Sequence, residues 1–315
     1  MSWPRWRPIF WWQALTRAFE PASANSAVAH AGRPRRRRPD WLRHLMADRL
    51  GMFGLVLVAL VVIGAVFADV LTSYDPIRMS PRDRFAAPGL DHLMGTDNLG
   101  RDLFTRVLHG GRIALTVAMA ATAASLALGV SLGLVAGYGP RWLDNALILL
   151  FDALRSFPTV MLALALVTLI GPSLAAVILV VVLSGAPSYG RIVRTQVISL
   201  KRAEFVLAER SMGAGTARIL FVHLLPNVIG PILILASMDI PVVITIEAGM
   251  SFLGLGVPPP TPSWGNILND GFSFIRESIW PVIAGGVPII VATLGFTFLG
   301  EALRDTFDPR IRKDM

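Results

Sequence analysis

"IALTVAMAATAASLALGVSLGLVAGY", residues 113–138, contains no charged residue. It is longer than the roughly 20 residues a helix needs to cross a bilayer core. Within it Ser125, Gly129, Gly133 and Gly137 fall at every fourth position. That spacing puts four small residues on one helix face, where a second helix can approach closely in lipid. The face serves either helix packing or the lining of a pore. The stretch also holds "GVSLG", residues 129–133, which matches the G-x-S-x-G pattern of serine hydrolases. A nucleophile at Ser131 would need a sharp strand-to-helix turn, and an unbroken apolar helix offers none.

Five further apolar segments lie at 51–70, about 145–170, roughly 174–189, about 224–246 and roughly 279–299. A spanning segment must satisfy its own backbone hydrogen bonds, and no alternating barrel pattern is present, so all six read as helices. The expectation is an all-α polytopic membrane protein with six transmembrane helices. Composition agrees. Of 315 residues, 54% are hydrophobic and 16% charged, against about 25% charged in ordinary soluble domains.

Several function classes fall away. The chain has no cysteine, which excludes a disulfide framework and a thiolate metal site. His30, His44, His92, His109 and His223 are scattered and show no H-E-x-x-H spacing, so no metal site is expected. The two lysines, Lys201 and Lys313, lie outside any G-x-x-x-x-G-K-[ST] loop. If transport is driven by ATP, the ATPase is another polypeptide.

The net charge is +8, almost all of the excess being arginine. Nucleic-acid binders are also basic, but here position matters more than the sum. Most of the 29 Lys and Arg residues lie in the tail at 1–49, the 139–144 loop, the 191–218 segment and the C-terminus. The positive-inside bias then places both termini in the cytoplasm. The tail carries "RPRRRRPD" at 33–40 and four tryptophans in its first twelve residues. It reads as a cytoplasmic tail or as an anchor on anionic lipid, and no signal-peptide pattern is visible in it.

The organisation expected is a basic tail at 1–49, a first transmembrane helix at 50–71, an extracytoplasmic loop at 72–112, a five-helix core at 113–303 and a cytoplasmic end at 304–315. In the loop, "HLMGTDNLGRDLFTRVLHGGR" (92–112) predicts a turn and a short amphipathic helix. Thr96, Asp97 or Asn98 would cap it and Gly110-Gly111 would end it. An outer Gly/Pro loop at about 250–278 contains "SFLGLGVPPPTPSWGNILNDGF" (251–272), which cannot be a continuous helix.

Charged groups inside apolar segments are expensive and mark functional sites. Asp152, Arg155 and Ser156 fall on one helix face and are either a local Asp152–Arg155 pair or a polar lining of a substrate path. Pro158 should kink that helix. Asp239, beside Pro241, is a second path candidate. Glu247, near the outer end of its segment, should reach water.

A jointed polar stretch, "EFVLAERSMGAGTARILFVHLLPN" at 204–227, separates the fourth and fifth spans. Phe205, Ala208 and Met212 share one face of a short helix. Gly213 and Gly215 break it, and Thr216 would cap the next helix. It is either an interfacial helix on the membrane or a docking element for a cytoplasmic partner.

These residues resemble the permease subunits of binding-protein-dependent ABC importers. That family carries E-A-A-x-x-x-G, nine residues, then I-x-L-P in a cytoplasmic segment. Here "LAERSMG" (207–213) and "HLLP" (223–226) align with it, matching at Ala208, Gly213, Leu225 and Pro226 and departing at Leu207, Glu209 and His223. The 92–112 and 251–272 stretches and "LGEALRDTFDPR" (299–310) resemble the dipeptide, oligopeptide and nickel branch. The resemblance implies a coupling helix within about 199–218, between helices 4 and 5. Glu204, Phe205, Ala208, Glu209, Arg210, Met212 and Gly213 would form its ATPase contacts. It further implies a bacterial inner-membrane, non-catalytic translocation subunit for di- or oligopeptides. The partners implied are a second permease subunit, two cytoplasmic ATPase subunits that hold the ATP and Mg, and an extracytoplasmic solute-binding protein. Membrane lipid surrounds it, and no nucleic acid is involved. Nickel or another small solute is the alternative cargo. An ion-coupled secondary transporter is the alternative class, although inverted repeats are not visible.

Overall fold

The computed structural model describes residues 48–307; the basic tail and the last residues of the C-terminus lie outside them. Helix α1 (Arg49–Val66) starts where the Asp48 carboxylate accepts from the backbone N–H groups of Leu50 and Gly51. A one-turn helix, α2 (Ala68–Leu71), follows, and then a mostly irregular loop.

The loop leads into α3 (Leu103–Tyr138), a single helix of 36 residues. At 1.5 Å per residue it is about 54 Å long, well beyond a hydrocarbon core. This corrects the expected short amphipathic helix. Gly110 and Gly111 do not end it, because the Trp264 ring fills the space a side chain would occupy at both. The cap is Asp102, whose carboxylate accepts from Thr105 N–H at 2.8 Å, rather than Thr96, Asp97 or Asn98.

Next come α4 (Arg141–Ser156) and α5 (Thr159–Ile170). They meet at 92°. Pro158 drives its predecessor Phe157 into extended backbone (φ −82°, ψ 127°), so the helix breaks where the sequence placed a kink. Helix α6 (Leu174–Leu200) is longer than its apolar segment and carries Arg191 and Arg194. Helices α7 (Glu204–Ser211) and α8 (Thr216–Arg218) form the joint. A π-helical turn (Ile219–Leu224) then feeds α9 (Leu225–Phe252). The chain ends its described part with α10 (Trp264–Ser273) and α11 (Trp280–Phe307). Among the described residues, five helices or joined helices are long and apolar enough to cross a membrane, or six if the bent α4–α5 pair is one span. The all-α polytopic expectation holds.

The most extensive contact is between α3 and α6. A side chain at Gly129 or Gly133 would stand 2.6 Å from the carbonyl oxygen of Ala186 or Gly190, and one at Gly137 would stand 2.7 Å from Val197 Cβ. The small-residue face is therefore a packing seam. Helices α1 and α11 use the same device, with Gly54 against Leu299 N and Gly295 against Leu57.

Gly133→Leu should overpack the α3–α6 seam and cost about 1–3 kcal/mol. Gly230→Ala, where an added methyl meets nothing within 4 Å, should be neutral. Thermal unfolding of the detergent-solubilised protein separates the two; equal melting temperatures would show that the seam is not tight.

Candidate functional site

The joint around α7 is tied to three longer helices. Val206, the one fully buried side chain of α7, packs with Ile219, Leu224 and Val228. Arg210 donates to the Tyr138 hydroxyl at 3.1 Å and lies over its ring at 5.3 Å, which links α7 to the end of α3. Lys201 donates to the Gly137 carbonyl at 2.7 Å, linking the end of α6 to the same point. Glu209 turns back toward the chain that follows, 3.4 Å from His223 Nε2 and 4.0 Å from Arg218. Two residues that depart from the family signature, Glu209 and His223, thus face each other.

Three large apolar side chains at and beside α7 face outward. Phe205 is 41% exposed, Leu207 49% and Met212 73%. Glu204 and Ala208 are exposed beside them. Gly213 ends the helix in the left-handed region (φ +84°), which a side chain rarely adopts. Thr216 does not cap: Gly215 holds the cap position of α8, and Thr216 is its first helical residue.

A second polar group lies inside the apolar segments. Asp152 does not pair with Arg155. It bonds Arg191 on α6, because α4 runs against that helix and the longer reach of arginine bridges the gap. Asp144 likewise holds Arg194, with one contact at 2.7 Å. Arg155 donates to Ser188 Oγ at 2.8 Å, and Ser156 donates to the Asp152 carbonyl at 2.7 Å. On α9, Asp239 accepts from the Tyr189 hydroxyl at 2.5 Å. Tyr189 and Arg191 were not singled out by sequence, yet α6 places them against Asp239 and Asp152, two of the charges that were. Glu247 does not reach water. It is fully buried and accepts from Ser251 Oγ at 2.8 Å. The reason is α10, whose Gly265 packs directly on Ala248 and Ser251 over the end of α9.

The opposite end of α3 carries a buried ion network. Asp97 accepts from Arg101 Nε at 2.6 Å and lies 3.5 Å from Arg106. Arg101 reaches on to Asp270 of α10 at 3.1 Å. Burial pushes the Asp270 carboxyl up, and the Arg101 and Arg106 charges pull it back. Gly100 (φ +72°) turns the chain so that the Asp97 carboxylate also takes the N–H groups of Leu99 and Arg101. Asp102 holds His92 at 2.9 Å. On α2, hydrogen bonds first from Arg112 and then from His109 hold the exposed Asp69 carboxyl below the usual range. The 92–112 motif is therefore a folding element of the loop.

The bundle is thus a polytopic helical membrane protein with one bent helix pair and a jointed segment between α6 and α9. Residues 129–313 match the family described as binding-protein-dependent transport system inner membrane component. The chain belongs to that family and is a permease subunit. Residues 39–88 match the N-terminal transmembrane domain of oligopeptide transport permease C. The chain is 38% identical over 270 residues to the dipeptide transport system permease protein DppC of Alkalihalophilus pseudofirmus, covering 86% of this chain and 89% of that one. It is 34% identical over 297 residues to the oligopeptide transport system permease protein OppC of Bacillus subtilis, covering 94% and 97%.

Removing the Glu209 carboxylate should free α7 from the π-helical turn without unfolding the bundle. In Glu209→Ala, amide exchange at 204–213 should quicken while α3 and α6 stay protected. Unchanged exchange in 204–213 would mean that Val206 and Arg210 fix the joint without Glu209.

Proposed function

We propose that this permease subunit forms half of the solute path of an ATP-driven peptide importer in a bacterial inner membrane, with both termini in the cytoplasm. The observation that carries the mechanism is the exposed apolar face of Phe205, Ala208 and Met212 on a helix anchored to its neighbours. Such a face outside the apolar segments fits a groove on a partner protein. Charged and polar residues around it, Glu204 and Arg210 among them, would set its register there. The partner is a cytoplasmic ATPase subunit, one of two, which hold the ATP and Mg. A second permease subunit completes the path, and a solute-binding protein delivers cargo from the other side. The peptide assignment rests on the two relatives, whose names specify dipeptides and oligopeptides.

Movement of α7 is passed on by rigid contacts. Arg210 and Lys201 carry it to the end of α3, and Glu209 and Val206 carry it into α9. Closure of the ATPases would then tilt α3, α6 and α9 together and switch the path between its two openings. The chain itself performs no chemistry in this scheme.

Gly213→Trp should abolish uptake while the protein still inserts, because the helix could no longer end in the left-handed turn. Wild-type uptake by that variant would overturn the docking role. Uptake should also stop when ATP is depleted with the ion gradient intact; persistence would point to an ion-coupled carrier.

A further inference from the structure

Charge inside the apolar segments is unevenly matched. Where α4 meets α6, Asp144 holds Arg194 and Asp152 holds Arg191. Of the other charged groups singled out in the apolar segments, Glu247 is buried beneath α10, and the remaining two are of opposite sign. Arg155 is held by Ser188 Oγ, and among the described residues no carboxylate lies within ion-pair distance of it. Asp239 is held by the Tyr189 hydroxyl, and among the described residues no cation lies within that distance of it. Ser188 and Tyr189 are consecutive in α6, so the residues that hold the two charges are about 1.5 Å apart along that helix and about 100° apart around it. Neither is enclosed: Arg155 is exposed and Asp239 half-buried. Hydrocarbon would not accept either group, so their open sides face a partner chain or a water-filled path.

We infer that Arg155 and Asp239 are a split recognition pair for a zwitterionic solute, Arg155 meeting its carboxylate and Asp239 its ammonium group. The inference rests on the importer reading above and names the chemistry of the cargo. A peptide with free termini carries both charges. Each would replace water at one of the open groups while Ser188 and Tyr189 keep those groups oriented. Arginine suits the carboxylate because its planar fork can donate two parallel hydrogen bonds. Asp239 has one oxygen taken by the tyrosine and one free to accept from an ammonium. A solute with only one of the two charges would leave the other group unmatched in a place where that is costly.

The test is uptake by cells that lack other peptide transporters and carry the full importer. The three probes are radiolabelled Ala-Ala, Ala-Ala amide and N-acetyl-Ala-Ala, and rates are normalised to the amount of protein in the membrane. The binding protein is the same in every arm, so its preference cancels from ratios between variants. Wild type should prefer Ala-Ala to both blocked forms. Arg155→Gln should lower the Ala-Ala to amide ratio about tenfold, the size of one charge-assisted hydrogen bond, and leave the Ala-Ala to acetyl ratio alone. Asp239→Asn should do the reverse, and Arg155→Lys should restore most of the first ratio. Wild-type ratios in both variants, or an equal fall for all three probes, would overturn the pair. A wild-type importer that takes up none of the probes would remove the peptide reading and this inference with it.

Discussion

Everything in this bundle depends on how closely α3 and α6 approach. In lipid the hydrophobic effect does not hold helices together, and association relies on packing and polar contacts. The seam of Gly129, Gly133 and Gly137 lets backbone meet backbone, at separations no side chain would permit. Gly190 of α6, whose own backbone meets Gly129 and Gly133, admits the Phe151 ring of α4 in the same way. Helix α6 is thus fixed against both α3 and α4 by residues that have no side chain. Its remaining surface is free to hold arginines and a tyrosine against the charges of α4 and α9.

That arrangement gives the molecule two working ends on one long rod. Helix α3 begins in the Asp97–Arg101–Arg106 network and ends at Tyr138, where Arg210 and Lys201 converge. One end is locked by buried ion pairs, which are costly to break because a lone buried charge would remain. The other end is held by exposed contacts and one buried valine, which are cheaper to shift. A push at α7 therefore moves the Tyr138 end of α3 more readily than the loop at 72–102.

The fold was legible wherever a single helix face carried the signal. The small residues at 125–137 and the break at Pro158 could be read directly, because periodicity and proline chemistry are local. The limits of α3 were not legible. Two adjacent glycines read as a stop, and only Trp264, far away in sequence, shows why they continue the helix. The intramembrane charges were found, but their partners were not, since Arg191 and Tyr189 sit on a helix that sequence ended near residue 189. Glu247 misled for a related reason: its depth depends on α10 folding back over it. The candidate residues of α7 were visible as a pattern, and what separates outward Phe205 from anchored Glu209 is the position of His223.

The bond between Arg101 and Asp270 joins residues 169 positions apart. On the ribosome, Arg101 is made long before Asp270 exists. Until α10 arrives, Asp97 can hold one side of the guanidinium and water must take the other. The closure of this end of the molecule is thus a record that the chain has been made as far as α10. A chain cut short before α10 would carry an open, charged loop at its surface, a feature by which quality control could tell it from a finished permease.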